Sequence, residues 1–304
     1  MTITPVPADA LDETLDLIAA QQADLSRGTT MLGDERVGIA AELDDLEPAW
    51  ASTVRVARED GRVVAASLVE WDEENARAWL FGPWVAGGDD AWARWARPLV
   101  DAALGQLPAG IDRVELAGDV SNVRMAALAE ELGWPAGEVS HVYAASATAA
   151  AGWPDPVLTI RPATAADRET IRPVHDQEFP ATYAGMERLL PDEPDGKFHV
   201  LLAEEGSRFL GYAAGRVQPD GAGYLDYLAV PDAARGHGAG RDLLVAIGRY
   251  LVDAAPHHDV NLTVQDHRAP ARRLYESLGF ELQLSIVGYE RPTSGTTADR
   301  AQAT

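Results

Sequence analysis

One stretch of the chain occurs twice, and this constrains the fold more than any other feature of the sequence. Val114 to Trp134 (VELAGDVSNVRMAALAEELGW) aligns without a gap on Val260 to Phe280 (VNLTVQDHRAPARRLYESLGF). Val114/Val260, Leu116/Leu262, Leu128/Leu274, Glu130/Glu276, Leu132/Leu278 and Gly133/Gly279 are identical, and Trp134 and Phe280 are both aromatic. The two beginnings also correspond, Thr2-Ile3-Thr4-Pro5 against Thr159-Ile160-Arg161-Pro162. A chain of 304 residues has room for two domains of ordinary size. The repeat divides it into residues 1–148, a linker at 149–157 rich in Ala, Gly and Pro, a second unit at 158–291, and a polar tail at 292–304 expected to be disordered.

Both copies read as the same order of elements. In the second, Leu158 to Arg161 is a short strand and Ala165 to His175 a helix with Thr164 as N-cap. Phe198 to Glu204 and Phe209 to Val217 form a hairpin around Glu205-Gly206-Ser207, and Tyr224 to Val230 is a further strand. A helix from Gly240 to Ala254, a strand from Asp259 to Val264, a helix from Ala269 to Leu278 stopped by Gly279, and a last strand from Leu282 to Tyr289 complete the unit. The first copy repeats this with a hairpin at Asp60-Gly61, a strand from Ala76 to Val85, and helices from Asp90 to Leu104 and Met125 to Leu132. The expected class is α/β, with each half a mixed sheet flanked by helices: antiparallel at its start, βαβα at its end.

Composition removes several functions. The formal charge is −23, so a phosphate backbone is repelled and a nucleic-acid partner is not expected. There is no cysteine, hence no disulfide, thiolate metal site or thioester on the protein. No apolar run is long enough to cross a bilayer, and Met1 to Ala10 lacks the basic and apolar parts of a secretion signal, so a cytoplasmic location is expected. His257 and His258 are adjacent rather than four apart, and no Gly-x-Ser-x-Gly occurs, so neither a metal centre nor a serine hydrolase is expected.

The chemistry concentrates in one turn. After the strand YLDYLAV the chain runs Pro231-Asp232-Ala233-Ala234-Arg235-Gly236-His237-Gly238-Ala239-Gly240 and enters a helix. Glycines let the backbone approach a ligand closely, and a helix N-terminus adds unpaired N–H donors and partial positive charge. The turn is a candidate phosphate cradle. It is not a P-loop, because the Lys-Ser/Thr ending is missing, and Arg241 stands where the dinucleotide fingerprint needs its third glycine.

Arg235-x-x-Gly238-x-Gly240 after this strand, followed by Leu274-Tyr275-x-x-x-Gly279-Phe280, resembles the GNAT superfamily of acyl-CoA-dependent N-acyltransferases in motif, order and spacing across Thr159 to Arg291. The resemblance implies acetyl-CoA as acyl donor, with its pyrophosphate on Arg235, Gly236, His237, Gly238, Ala239 and Gly240. It implies pantetheine hydrogen bonds to the backbone of Leu228 and Val230, in a gap between the strands ending at Val230 and Val264. It makes Tyr275 the acid for the departing thiolate. Asp226, mid-strand beside that gap, is the candidate base, with His267 another; the glutamate some members carry on the next strand is Thr263 here. Asp176, Glu178 and Tyr183 fall where members build the acceptor pocket. Arg268 replaces an asparagine common near the pantetheine.

The first copy has lost these features: Ala129 stands at the tyrosine position, and Ala86-Gly87-Gly88-Asp89-Asp90 replaces the loop. It reads as a degenerate unit, with Trp92 and Trp95 as candidates for packing on the second. The expected function is acetyl transfer to a primary amine by direct attack in a ternary complex. The alternative is a CoA-binding or interaction protein without catalysis. The acceptor stays open among aminoglycosides, polyamines, amino acids, protein N-termini and the substrate of the tandem mycothiol synthases; so does the oligomeric state.

Overall fold

The structure is a computed structural model describing residues 2–180, 182–193, 196–219 and 221–292. In chain order its strands and α-helices are β1 (Ile3–Pro5), α1 (Leu11–Gln22), α2 (Arg36–Asp44), α3 (Trp50–Thr53), β2 (Arg55–Glu59), β3 (Arg62–Asp72), β4 (Arg77–Val85), α4 (Asp89–Leu104), β5 (Arg113–Asp119) and α5 (Val123–Leu132). Then come β6 (Ser140–Ser146), α6 (Ala147–Ala151), β7 (Thr159–Pro162), α7 (Arg168–Glu178), α8 (Met186–Leu189), β8 (His199–Glu205), β9 (Arg208–Val217), β10 (Gly223–Ala229), α9 (Ala239–Ala254), β11 (Asp259–Gln265), α10 (Ala269–Ser277) and β12 (Glu281–Glu290). The tail lies, apart from Pro292, outside the described residues.

The class is mixed α/β, and the chain forms two compact units: Met1–Ser140 with Leu284–Thr304, and His141–Gln283. The first unit orders its strands β1-β2-β3-β4-β5-β12, and the second β6-β11-β10-β9-β8-β7. Within each, the early strands pair antiparallel and one pair is parallel, β4 with β5 and β10 with β11.

The last strand differs from the sequence expectation. Rather than closing the second copy, β12 pairs antiparallel with β5, Ile286 opposite Asp119 and Glu290 opposite Glu115. Val287 and Tyr289 bury in the first unit's core with Leu116, Leu128 and Trp134. The second unit's sixth strand is β6, from the end of the stretch read as the first copy; Tyr143 and Ala145 bury beside Val260, Leu262 and Phe280. Each unit is therefore completed by a strand from the other half of the sequence.

The stretch 149–157 packs closely. Trp153 is buried, stacks on Phe280 at 5.6 Å between centroids and donates from Nε1 to the carbonyl of Leu278. It lies so close to Gly248 on α9 that a Cβ there would approach its ring to 2.7 Å. Asp242, buried on α9, accepts from the backbone N–H of Val157 and Leu158 at 2.8 and 2.9 Å. The predicted helix at 165–175 is a 3-10 turn (Ala165–Asp167) leading into α7, capped by reciprocal bonds between Thr164 and Asp167. Arg161 grips the Asp167 carboxylate and holds its pKa down at about 2.

Candidate active site

The site is built where β10 and β11 part. They pair only at Gly223–Leu225 with Val260–Leu262. Beyond Leu225 the ladder stops, although β10 continues to pair with β9 through Ala229. One edge of β10 is thus left open, with backbone groups available to an extended ligand. The pairing of β10 with β9 also slips between Leu225 and Tyr227, so Asp226 occupies a bulge. Bulges re-aim a side chain and release its backbone from the ladder. At the fork, Tyr224 OH donates to Thr263 Oγ1 at 2.9 Å across the two strands.

Above the fork lies a cleft of about 510 Å³ within the second unit. Leu228 and Val230 line it from β10 and the residue after it, Pro270, Ala271, Leu274 and Tyr275 from α10, and the turn into α9 contributes its residues from Ala234 to Gly240 other than His237. Gly236 (φ 82°) and Gly238 (φ 83°) are left-handed, which aims the backbone N–H groups at the start of α9. Gly240 needs no such conformation, and a Cβ there would meet only ordinary contacts, Val230 at 3.6 Å and Leu274 at 3.7 Å. An alanine would suit the helix better by about 1 kcal/mol. The fold itself gives no reason for glycine there; a ligand lying close against the helix start does.

Of the residues singled out in the sequence, Leu228, Val230, Arg235, Gly236, Gly238, Ala239, Gly240 and Tyr275 all line this cleft. His237 does not; its Nδ1 turns back toward the carbonyls of Ala234 and Arg235. Tyr275 is 7% exposed, and burial pushes its phenol up to about 12, so it stays protonated. Asp226 is not on the cleft wall, but stands two residues before Leu228 on the same strand. Its carboxylate is 2% exposed. One oxygen, Oδ1, accepts from the Tyr183 hydroxyl and faces Arg216 Nε at 3.4 Å; the other, Oδ2, is buried with no partner. Burial raises its pKa, against the lowering effects of Tyr183, Arg216 and Arg188. Tyr183 lies beneath two guanidiniums, those of Arg188 and Arg216, each 5.3 Å from its ring centre.

Three of the residues named in the sequence are joined here in a way that spacing did not indicate. Glu178, the last residue of α7, accepts from Arg235 and from Arg268, and all three line the cleft. Asp176 is not among the lining residues, and His267 follows β11 in the turn before α10.

The first unit repeats the fork but not the opening. Its β4 and β5 pair only at Arg77–Trp79 with Arg113–Glu115. The freed edge of β5 is taken by its own chain: Thr30 N–H and the Thr29 hydroxyl donate to the Ala117 carbonyl at 3.2 and 2.7 Å, and Asn122 Nδ2 holds the Gly28 carbonyl at 3.0 Å. Buried Gln22 fixes that loop, accepting from Thr29 N–H and from Trp84 Nε1. Two carboxylates, Asp89 and Asp90, stand in the first turn of α4. Trp95 is buried in this unit's own core with Ala57 and Leu99, and Arg124 lies over the ring of Trp92.

Residues 165–280, which hold the forked strand pair, the glycine turn and the buried tyrosine, match the Acetyltransferase (GNAT) family. Enzymes of this family take their acyl group from acetyl-CoA. Among curated proteins, mycothiol acetyltransferases of Thermomonospora curvata and Gordonia bronchialis are similar, 37% and 33% identical over 100 residues. The match covers 33% of this chain and 32% of either relative, about a third of their length. A GCN5-related N-acetyltransferase from Sphaerobacter thermophilus shares the fold over 95% of both chains, with TM-score 0.61 and 18% identity. Another, from Kribbella flavida, does so over 75% of this chain and 86% of its own, with TM-score 0.52 and 16% identity. Among the described residues no helix is long and apolar enough to cross a membrane, and no group of three potential ligands suits a metal ion.

Proposed function

We propose that this protein is an acetyl-CoA-dependent N-acetyltransferase whose active site lies in the second unit and whose acceptor is a small-molecule primary amine. The observation that carries the reading is the open edge of β10 leading to the left-handed glycines at the start of α9. Donors that a ladder would otherwise consume are left free along a path ending at a helix N-terminus, which suits an extended amide-bearing arm with a diphosphate at its end. The residues therefore fit acetyl-CoA: Leu228 and Val230 along the arm, and Arg235 with the amides of Gly236 to Gly240 around the pyrophosphate. The similar curated proteins, named mycothiol acetyltransferase, support a small-molecule acceptor.

The amine nitrogen attacks the thioester carbonyl, the carbon–sulfur bond breaks, and the ammonium proton must leave while the thiolate gains one. Asp226 is the base in this reading. Tyr183 occupies Oδ1, and the unpartnered Oδ2, buried and off the cleft wall, receives the proton through a water rather than from the amine directly. A carboxylate whose pKa is raised by burial holds that proton better than an exposed one. Tyr275 faces the leaving group. Full proton transfer from a phenol at about 12 to a thiolate of ordinary basicity, about 8.5, would be uphill. Tyr275 therefore lends a hydrogen bond to the developing thiolate, and the proton that Asp226 took from the amine passes through solvent to complete the thiol and return the carboxylate. The direct test is thiol release on mixing protein, acetyl-CoA and a panel of primary amines, with the amide identified by mass. At least one amine should raise release well above the hydrolytic background. Tight acetyl-CoA binding with no amide from any amine would favour a non-catalytic CoA-binding protein.

A further inference from the structure

Glu178 sits between two arginines inside the cleft. Its Oε1 accepts from Arg235 Nη2 and its Oε2 from Arg268 Nη1, both at 3.0 Å, and its backbone carbonyl accepts from Arg268 Nη2 at 3.2 Å. The carboxylate side chain is 15% exposed. The arginines come from opposite sides: Arg235 from the turn before α9, Arg268 from the N-cap of α10. Arg268 keeps a further donor, Nε, buried and without an acceptor. A carboxylate offering one oxygen to each of two guanidiniums is the arrangement a phosphate group takes between paired arginines. It also places a negative charge in the cleft proposed for a ligand that carries several.

We propose that Glu178 is an internal counter-anion in the place of a donor phosphate, and that Arg235 and Arg268 bind acyl-CoA in competition with it. This rests on the cleft being the acyl-CoA site. Arg268 then takes a phosphate-binding role where asparagine is common in the superfamily, with Glu178 holding it extended until the donor arrives. Binding is weakened by the ion pairs that must loosen, and removing the carboxylate charge strengthens it.

The experiment is calorimetric titration of the full chain with acetyl-CoA and with S-acetylpantetheine, which lacks the phosphates, at low and high salt. Glu178→Gln keeps the shape and one acceptor oxygen. It should bind acetyl-CoA about tenfold more tightly at low salt, with a steeper loss on adding salt, because Arg268 then meets the phosphates without a carboxylate and Arg235 keeps only its pair with Asp232 at 2.8 Å. Arg268→Gln should bind acetyl-CoA about tenfold more weakly and reduce the gain from Glu178→Gln when combined with it. Neither change should alter S-acetylpantetheine binding. Unchanged or weaker acetyl-CoA binding by Glu178→Gln, or equal effects on both ligands, overturns the proposal while leaving the cleft assignment intact. A wild-type chain that binds neither ligand overturns the cleft assignment, and the proposal with it.

Discussion

Two buried groups with opposite duties carry the proposed chemistry. Tyr275 must keep its proton and Asp226 must lose one, and burial serves the first while opposing the second. Because Asp226 has a raised pKa in the folded chain, its contribution favours the fold below the unfolded value and declines as pH rises through the folded one. In the reaction the same shift moves the acid limb of kcat/KM up from where an exposed aspartate would put it. Asp226→Asn should remove that limb and lower kcat by about 10²-fold; an unchanged limb would assign it to another group. Tyr275→Phe keeps the packing and loses the hydroxyl. It should cost about 10- to 100-fold in kcat with little change in KM, and unchanged turnover would remove Tyr275 from the chemistry. The glycine turn was legible in the sequence because its signal is local: a strand end, spaced glycines and a helix start. The Glu178 ion pairs were not, since their partners lie 57 and 90 residues away and no periodicity links them. Nor was the bulge at Asp226, a slip in register that alternation of side chains leaves unmarked.

At the scale of elements, most strands and helices follow from pattern, and the exchange of the last strands does not. Ser285, Val287 and Tyr289 alternate as buried positions on β12. Alternation dictates which face of a strand is buried but not which sheet receives it. The decision falls to partners far away in sequence: the Asp119 carboxylate accepts from Ser285 N–H at 2.7 Å, and Arg291 N–H reaches the Val114 carbonyl at 2.8 Å. The consequence is testable by truncation. A chain ending at residue 283 loses β12, uncovers the edge of β5, and exposes the apolar cluster that holds Val287 and Tyr289. The first unit should then lose its cooperative thermal transition or aggregate. A truncated chain that melts like the full one would show that β12 is dispensable to that unit.

Across the whole molecule, two units with a like order of strands treat the same fork differently. Both units fork their parallel pair after three residues. In the second the fork opens into the cleft; in the first, Thr29 and Thr30 occupy the freed edge of β5, and Asp89 and Asp90 sit where a bound phosphate would have to lie. The repeat in the sequence pointed to two units of like strand order, and Ala129 with Asp89-Asp90 to a difference between them. The loop that fills the first fork precedes the repeated stretch and carried no signal of its own. The most direct test of this asymmetry is calorimetric titration of the purified chain with acetyl-CoA, beside Gly238→Glu, which puts a side chain and a negative charge into the glycine turn. One site per chain is expected, lost in the variant. Two sites, or binding that survives Gly238→Glu, would contradict the asymmetry.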